Sequence, residues 1–311
     1  MSKSWLSFHE QLDLLIDKGM LVDNPDAALS YLERVGYYRL SGYWYPFRQF
    51  NSNNSSRLGS FKEQTYFEHI VQLYVFDKKL RLLALDALER IEMAVRVDIA
   101  HTLGKKDPQA HEQVDKLDGN FAKKVITRGR NKGKTEHQIW LEKHQQLLYR
   151  AKKEPFIAHH NKNYNGKVPI WVAIEVWDFG CMSRLYAGMN YSDKTNIAQK
   201  YGATAKQLEQ WLRSLNFIRN VSAHHSRLWN ANILEQSAPI TFDKKWMQLV
   251  SHRPFFYFCI MQHMLKVICP HSNWNERFKI LLKDFPAVPA NTVNLADMGV
   301  LENFEGWALW I

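Results

Sequence analysis

Cysteine is scarce in this chain of 311 residues: Cys181, Cys259 and Cys269 are the only three, an odd number without paired ligand spacing. So few exclude a disulfide framework, argue against a thiolate zinc knot and fit a reducing compartment. Long apolar runs are missing as well. The most apolar charge-free run, Pro254 to Leu265, has twelve residues, against roughly 18 or more for a membrane span. The first residues are charged throughout and lack a secretory apolar segment, so no membrane is expected and the expected location is the cytoplasm. Strand patterns are sparse, and no Asn-Gly turn sits between alternating runs.

Several catalytic signatures fail in the same way. Neither Gly-x-Gly-x-x-Gly nor Gly-x-Ser-x-Gly occurs. The run from Gly129 to Thr135 imitates a phosphate-binding loop but has three residues between its glycines where four are needed. His9-Glu10 and His111-Glu112 begin zinc-protease pentads, yet Asp13 and Asp115 stand where the second histidine belongs. His159 and His160 read as solvated residues of a polar loop. No metal and no cofactor are expected.

What the chain does have is an apolar fraction of 46%, 11 Trp and an excess of positive charge, 41 Lys+Arg against 31 Asp+Glu, for a net +10. The first two provide for a real core and exclude a disordered chain. The third suits a polyanionic partner such as nucleic acid. The excess is local: residues 104–167 hold 15 basic and 7 acidic residues, and 119–135 hold six basic and no acidic ones. Those six are Lys123, Lys124, Arg128, Arg130, Lys132 and Lys134. With Gly129 and Gly133 among them the stretch is a poor helix interior. It reads as a mobile basic loop, either a phosphate-binding element or a solvated solubility loop.

The fold class is mainly α. Phe67, Ile70, Tyr74, Leu80, Leu83, Ala87, Ile91, Ala94 and Val95 recur near the helical period, predicting one long helix or two nearly continuous ones ending near Gly104. Ser60 and Thr65, each three residues before a Glu, have capping-box spacing. Leu208, Trp211, Leu212, Leu215 and Ile218 predict an amphipathic helix opened by Thr204. Buried helices are expected over 170–189 and 255–269, and short ones over 10–18, 26–35 and 275–284. The aromatic run from Gly36 to Phe47, interleaved with Arg39 and followed by Arg48, suits either base stacking or the packing seam of a small domain. A polar linker over 51–56 follows. The chain divides into an N-terminal helical, aromatic-rich module (1–60), a helical domain (61–285) with the basic insertion 104–167, and a tail (286–311) held by Trp307 and Trp310.

One cluster stands out. The segment 211–230 reads WLRSLNFIRNVSAHHSRLWN, so an amphipathic helix runs into Arg219, Asn220, His224, His225, Arg227 and Asn230. Asn220 and His224 are four apart and share a face. Arg219 and His224 are five apart and diverge by about 140° on an unbroken helix. One copy therefore does not easily bring both onto one phosphate, whereas two copies about a twofold axis line them along a shared cleft. The same residues also read as a helix C-terminus capped by basic side chains.

The sequence resembles the Abi-like (AbiD/AbiF-type) bacterial abortive-infection proteins of the HEPN superfamily, from Leu15 to about Asn230. The resemblance is carried by GYYRLSGYWYPF at 36–47, FEHIVQLYVFDKKLR at 67–81, RIEMAVR at 90–96, WDFG at 177–180 with SRL at 183–185, and RNVSAHHSRLWN at 219–230. It implies a HEPN-type helical bundle that forms a homodimer and cuts RNA without metal, in some members in association with a small non-coding RNA. In such a site the RNA 2′-hydroxyl attacks its own phosphate. His224 would be the acid/base, Arg219 would grip the phosphate and Asn220 would orient either. His225, Arg227, Asn230 and Arg39 are further RNA-binding candidates. Glu92 and Arg96 either steer Arg219 or form a surface pair. The rival reading is a protein that binds a structured small RNA without cutting it.

Overall fold

The computed structural model describes residues 4–51, 56–241, 243–289 and 292–311. Ser7 opens α1 (Phe8–Asp17) through a reciprocal capping box with Glu10. Asn24 caps α2 (Pro25–Arg34), whose first residue is proline, with φ already suited to a helix. The aromatic run folds as α3 (Tyr37–Trp44) and buries Leu40, Tyr43, Trp44 and the following Phe47, so most of it is packing seam; Tyr38 is left 91% exposed. Two short strands, β1 (Arg48–Asn51) and β2 (Ser56–Phe61), pair antiparallel at the ends of the expected polar linker, whose residues 52–55 lie outside the described ones.

The long periodic stretch is a single helix, α4 (Phe67–Gly104), of 38 residues, about 57 Å of rod. Its entry differs from expectation. Ser60 lies in β2, Thr65 is buried ahead of the helix, and the Tyr66 N–H donates to His69 Nδ1 at 3.4 Å. A short helix, α5 (Gly119–Ala122), opens the basic stretch 119–135. The remainder is a paired hairpin rather than an unstructured loop. Val125 bridges to Thr135, the Ile126 N–H donates to the Lys134 carbonyl and the Gly133 N–H to the Ile126 carbonyl, both at 2.9 Å. Gly129 and Gly133 make the turn at φ 81° and 89°, conformations that favour glycine.

Thr135 and Gln138 then open α6 (Glu136–Arg150) with a capping box. α7 (Pro155–Asn163) carries His159 and His160, which therefore sit on a helix and not in a loop. The expected helix over 170–189 is broken in two. α8 (Ile170–Ala173) passes into a 3-10 turn, the chain extends at Trp177, and Asp178 starts α9 (Phe179–Gly188) by accepting from the Cys181 N–H at 2.8 Å. A capping carboxylate thus divides a segment whose apolar content alone looks continuous. α10 (Tyr191–Lys200) leads to α11 (Ala205–Ala223), which Thr204 opens with Gln207 as expected. α12 (Pro254–Ile268) is buried nearly all round, and α13 (Trp274–Lys283) follows it.

Packing centres on α4, against which α3, α8, α10, α11, α12 and α13 all lie. One cluster of buried apolar residues runs from Leu12 to Trp310. The tail is tied down by its tryptophans: Trp310 stacks on Phe255 and Phe278, and the Trp307 indole donates to Asp243 at 2.6 Å. Among the described residues no helix is long and apolar enough to cross a membrane.

Candidate functional site

The polar cluster lies where α11 stops. His224 is its last half-helical residue, with its N–H on the Asn220 carbonyl at 2.9 Å. The Ser226 N–H reaches back to the Val221 carbonyl and the His225 N–H to the Ser222 carbonyl, a Schellman ending. The left-handed residue such an ending needs is His225, at φ 58°, where glycine is usual. A non-glycine residue there costs on the order of 1 kcal/mol and persists when its surroundings hold it.

Three arginines do the holding. Arg39 of α3 donates to the His225 carbonyl, Arg81 of α4 to the Ser226 carbonyl at 3.4 Å, and Arg227 returns to the Gly42 carbonyl of α3. Beneath them lies Asp77, fully buried. It accepts from Arg81, from the Tyr43 hydroxyl at 2.6 Å, and from the backbone N–H groups of Leu228 and Trp229 at 3.1 and 2.7 Å. Burial pushes its carboxyl pKa up, and these four donors pull against that. The segment after the α11 terminus is thus pinned to α3 and to α4.

The sequence-derived residues divide accordingly. The His224 and His225 side chains are exposed, and no hydrogen bond or ion pair among the described residues engages either imidazole. Arg219 and Asn220 are half-buried, with Arg219 Nη1 3.5 Å from Asn220 Oδ1. Arg219 also acts on Asp178. Burial raises that carboxyl, but Lys143 at 2.7 Å, the Cys181 N–H and Arg219 outweigh it and hold the pKa below the usual range. No hydrogen bond links Arg219 to His224. Asn230 has its Oδ1 buried and unpartnered among the described residues. Arg39 and Arg227 spend guanidinium hydrogens on backbone carbonyls, so the structure gives both a positioning role beside any contact with RNA. Glu92 and Arg96 do pair, but Arg96 turns inward onto the Glu175 and Trp177 carbonyls and so fixes the break just before Asp178. The six basic residues of this stretch are all exposed, and among the described residues only Lys134 has an acidic partner, Glu142.

Sequence reasoning missed Asp178, on which both Lys143 and Arg219 act, and Asp77, Arg81 and Tyr43 as anchors. The available signal was that Tyr43, Asp77 and Arg81 fall inside the resemblance blocks. Chemistry at Cys181 and Cys259 is disfavoured, since burial pushes Cys181 up to about 12 and Cys259 well above its ordinary value.

Residues 30–230, well over half of the chain, match the Abi-like protein family. The chain belongs to that family. The match starts in α2 and ends at Asn230, so it takes in α3, the Asp77 anchor and the whole α11 terminus, and excludes α12, α13 and the tail. No curated protein and no solved structure matches the chain. Membership in the Abi-like family points to abortive infection, a phage-defence setting.

Proposed function

We propose that this Abi-like protein is a metal-independent, HEPN-type endoribonuclease that works as a homodimer in abortive infection. The observation that carries this reading is the α11 terminus. It presents an exposed imidazole (His224) one turn from a half-buried guanidinium (Arg219), on a segment clamped by Arg39, Arg81, Arg227 and Asp77. A general acid/base needs access and a fixed mount, and both are present.

The reaction needs a proton acceptor, a proton donor and a cation at the phosphate. The 2′-hydroxyl gives its proton to one neutral His224 imidazole and attacks the adjacent phosphorus. The bond to the 5′-oxygen breaks, and that oxygen takes its proton from the imidazolium just formed, which leaves His224 neutral again. Arg219 holds the charge that builds on the non-bridging oxygens. The products are a 2′,3′-cyclic phosphate and a 5′-hydroxyl. His224→Ala is expected to abolish cleavage of end-labelled RNA in EDTA while melting temperature and oligomeric state stay the same. Full activity in that variant refutes the reading.

A second reading, a protein that holds a structured small RNA without cutting it, is favoured by the exposed basic hairpin alone. Tight, salt-dependent binding by the wild-type protein with no cyclic-phosphate product selects it.

A further inference from the structure

We propose that His111, Glu112 and His144 form a site for one divalent transition-metal ion, of which zinc is the type, that shares no residue with the α11 terminus. The three residues bring one ligand atom each to within 4.8 Å of one another. His144 Nε2 is 3.3 Å and His111 Nε2 3.9 Å from Glu112 Oε1. Tetrahedral zinc with bonds of about 2.0–2.1 Å sets its ligand atoms about 3.4 Å apart, so only small closures are required.

The second observation is His111 itself. Its side chain is fully buried, and among the described residues neither ring nitrogen has a hydrogen-bond partner. A neutral imidazole left like this wastes both a donor and an acceptor, which buried groups rarely do. The neutral ring keeps a lone pair free for a cation. Glu112 is half-exposed and gives an ion a way in.

The surroundings hold the donors in place. His137 Nε2 is 2.9 Å from the His111 carbonyl, and Trp140 lies flat on His144 with ring centroids 5.1 Å apart. His137, Trp140 and His144 follow one another along the buried face of α6. The Trp177 indole donates to His144 Nδ1 at 2.9 Å, which leaves the His144 proton on Nε2, facing Glu112. A cation takes that proton's place. Coordination by Nε2 moves the imidazole proton to Nδ1 and turns the Trp177 N–H away. Two hydrogen bonds are lost, Trp177 to His144 and His144 to Glu112, against three metal–ligand bonds, an exchange that favours the ion. It also gives binding an optical signature in a buried tryptophan. Spacing arguments missed the site because its second histidine comes 33 residues later, from α6.

The test is equilibrium dialysis of chelator-treated full-length protein against buffered Zn2+, read by elemental analysis and tryptophan fluorescence. About one zinc per chain is expected, with a fluorescence change that saturates at the same stoichiometry. Glu112→Gln, at a half-exposed position that tolerates an isostere, should weaken binding tenfold or more, as should His111→Gln. His159→Ala, on the exposed α7, should not. No uptake by the wild-type chain overturns the proposal. So does uptake that Glu112→Gln and His111→Gln leave unchanged. This result does not depend on whether the protein cleaves RNA.

Discussion

Asp77 has no exposed surface, yet it accepts from Arg81, Tyr43 and two backbone N–H groups. Truncating it takes the acceptor from a buried guanidinium and from three further buried donors together. Asp77→Ala should therefore cost about 3–5 kcal/mol, seen as a large fall in melting temperature. A fall of only a few degrees would show that water replaces the carboxylate. The buried histidines make a second residue-scale prediction. His111, held near pKa 3 by burial against an ordinary value of 6.5, stays neutral in the folded chain while the unfolded chain takes up a proton. Its contribution is whole above pH 6.5 and is lost as pH falls from there towards 3, at up to about 1.4 kcal/mol per pH unit. His137 and His263 are shifted the same way, chiefly by burial. Melting temperature measured against pH should fall below 6.5, and His111→Gln should flatten that slope. At this scale the sequence was legible for His224, whose exposure at a helix end the cluster implied. It was not legible for Asp77, because a carboxylate in an amphipathic pattern looks solvated until its distant donors are known.

Elements were read well where periodicity was strong, as in α4, and to the first residue where a cap agreed with it, as in α11, and poorly where backbone chemistry decided. The break before α9 comes from one capping carboxylate inside an apolar segment, and Arg96 reinforces it from α4 by binding the carbonyls ahead of Asp178. The basic hairpin is made by main-chain pairing and two glycines, to which a charge pattern is blind. α9 ends at Gly188, where an added Cβ would lie 2.3 Å from the Phe121 ring. Gly188→Ala should overpack this junction between α9 and α5 and cost about 1–3 kcal/mol. Because α9 and α6 carry Asp178 and Lys143 to Arg219, differential scanning of this variant should be compared with its RNA cleavage. Loss of stability with unaltered cleavage at low temperature would show that the junction supports the fold and not the site.

At the scale of the whole molecule the positive charge is concentrated rather than spread. Replacing Lys123, Lys124, Arg128, Arg130 and Lys132 by glutamine should weaken binding to single-stranded RNA and lower the slope of log affinity against log salt by up to about 3.5. An unchanged slope would remove the hairpin from the RNA path. The proposed dimer makes a sharper prediction. Arg219 and His224 are not joined within one chain, so a phosphate that needs both is served most directly by Arg219 from one copy and His224 from the other. Arg219→Ala and His224→Ala homodimers should each be inactive. In a heterodimer of the two, one cleft loses both groups and the other keeps both. Mixing the inactive proteins under exchange should then restore about a quarter of wild-type cleavage, since half the dimers are mixed and each has one intact cleft. If both groups must come from the same chain, mixing restores nothing, and the twofold cleft is refuted even if the nuclease itself stands.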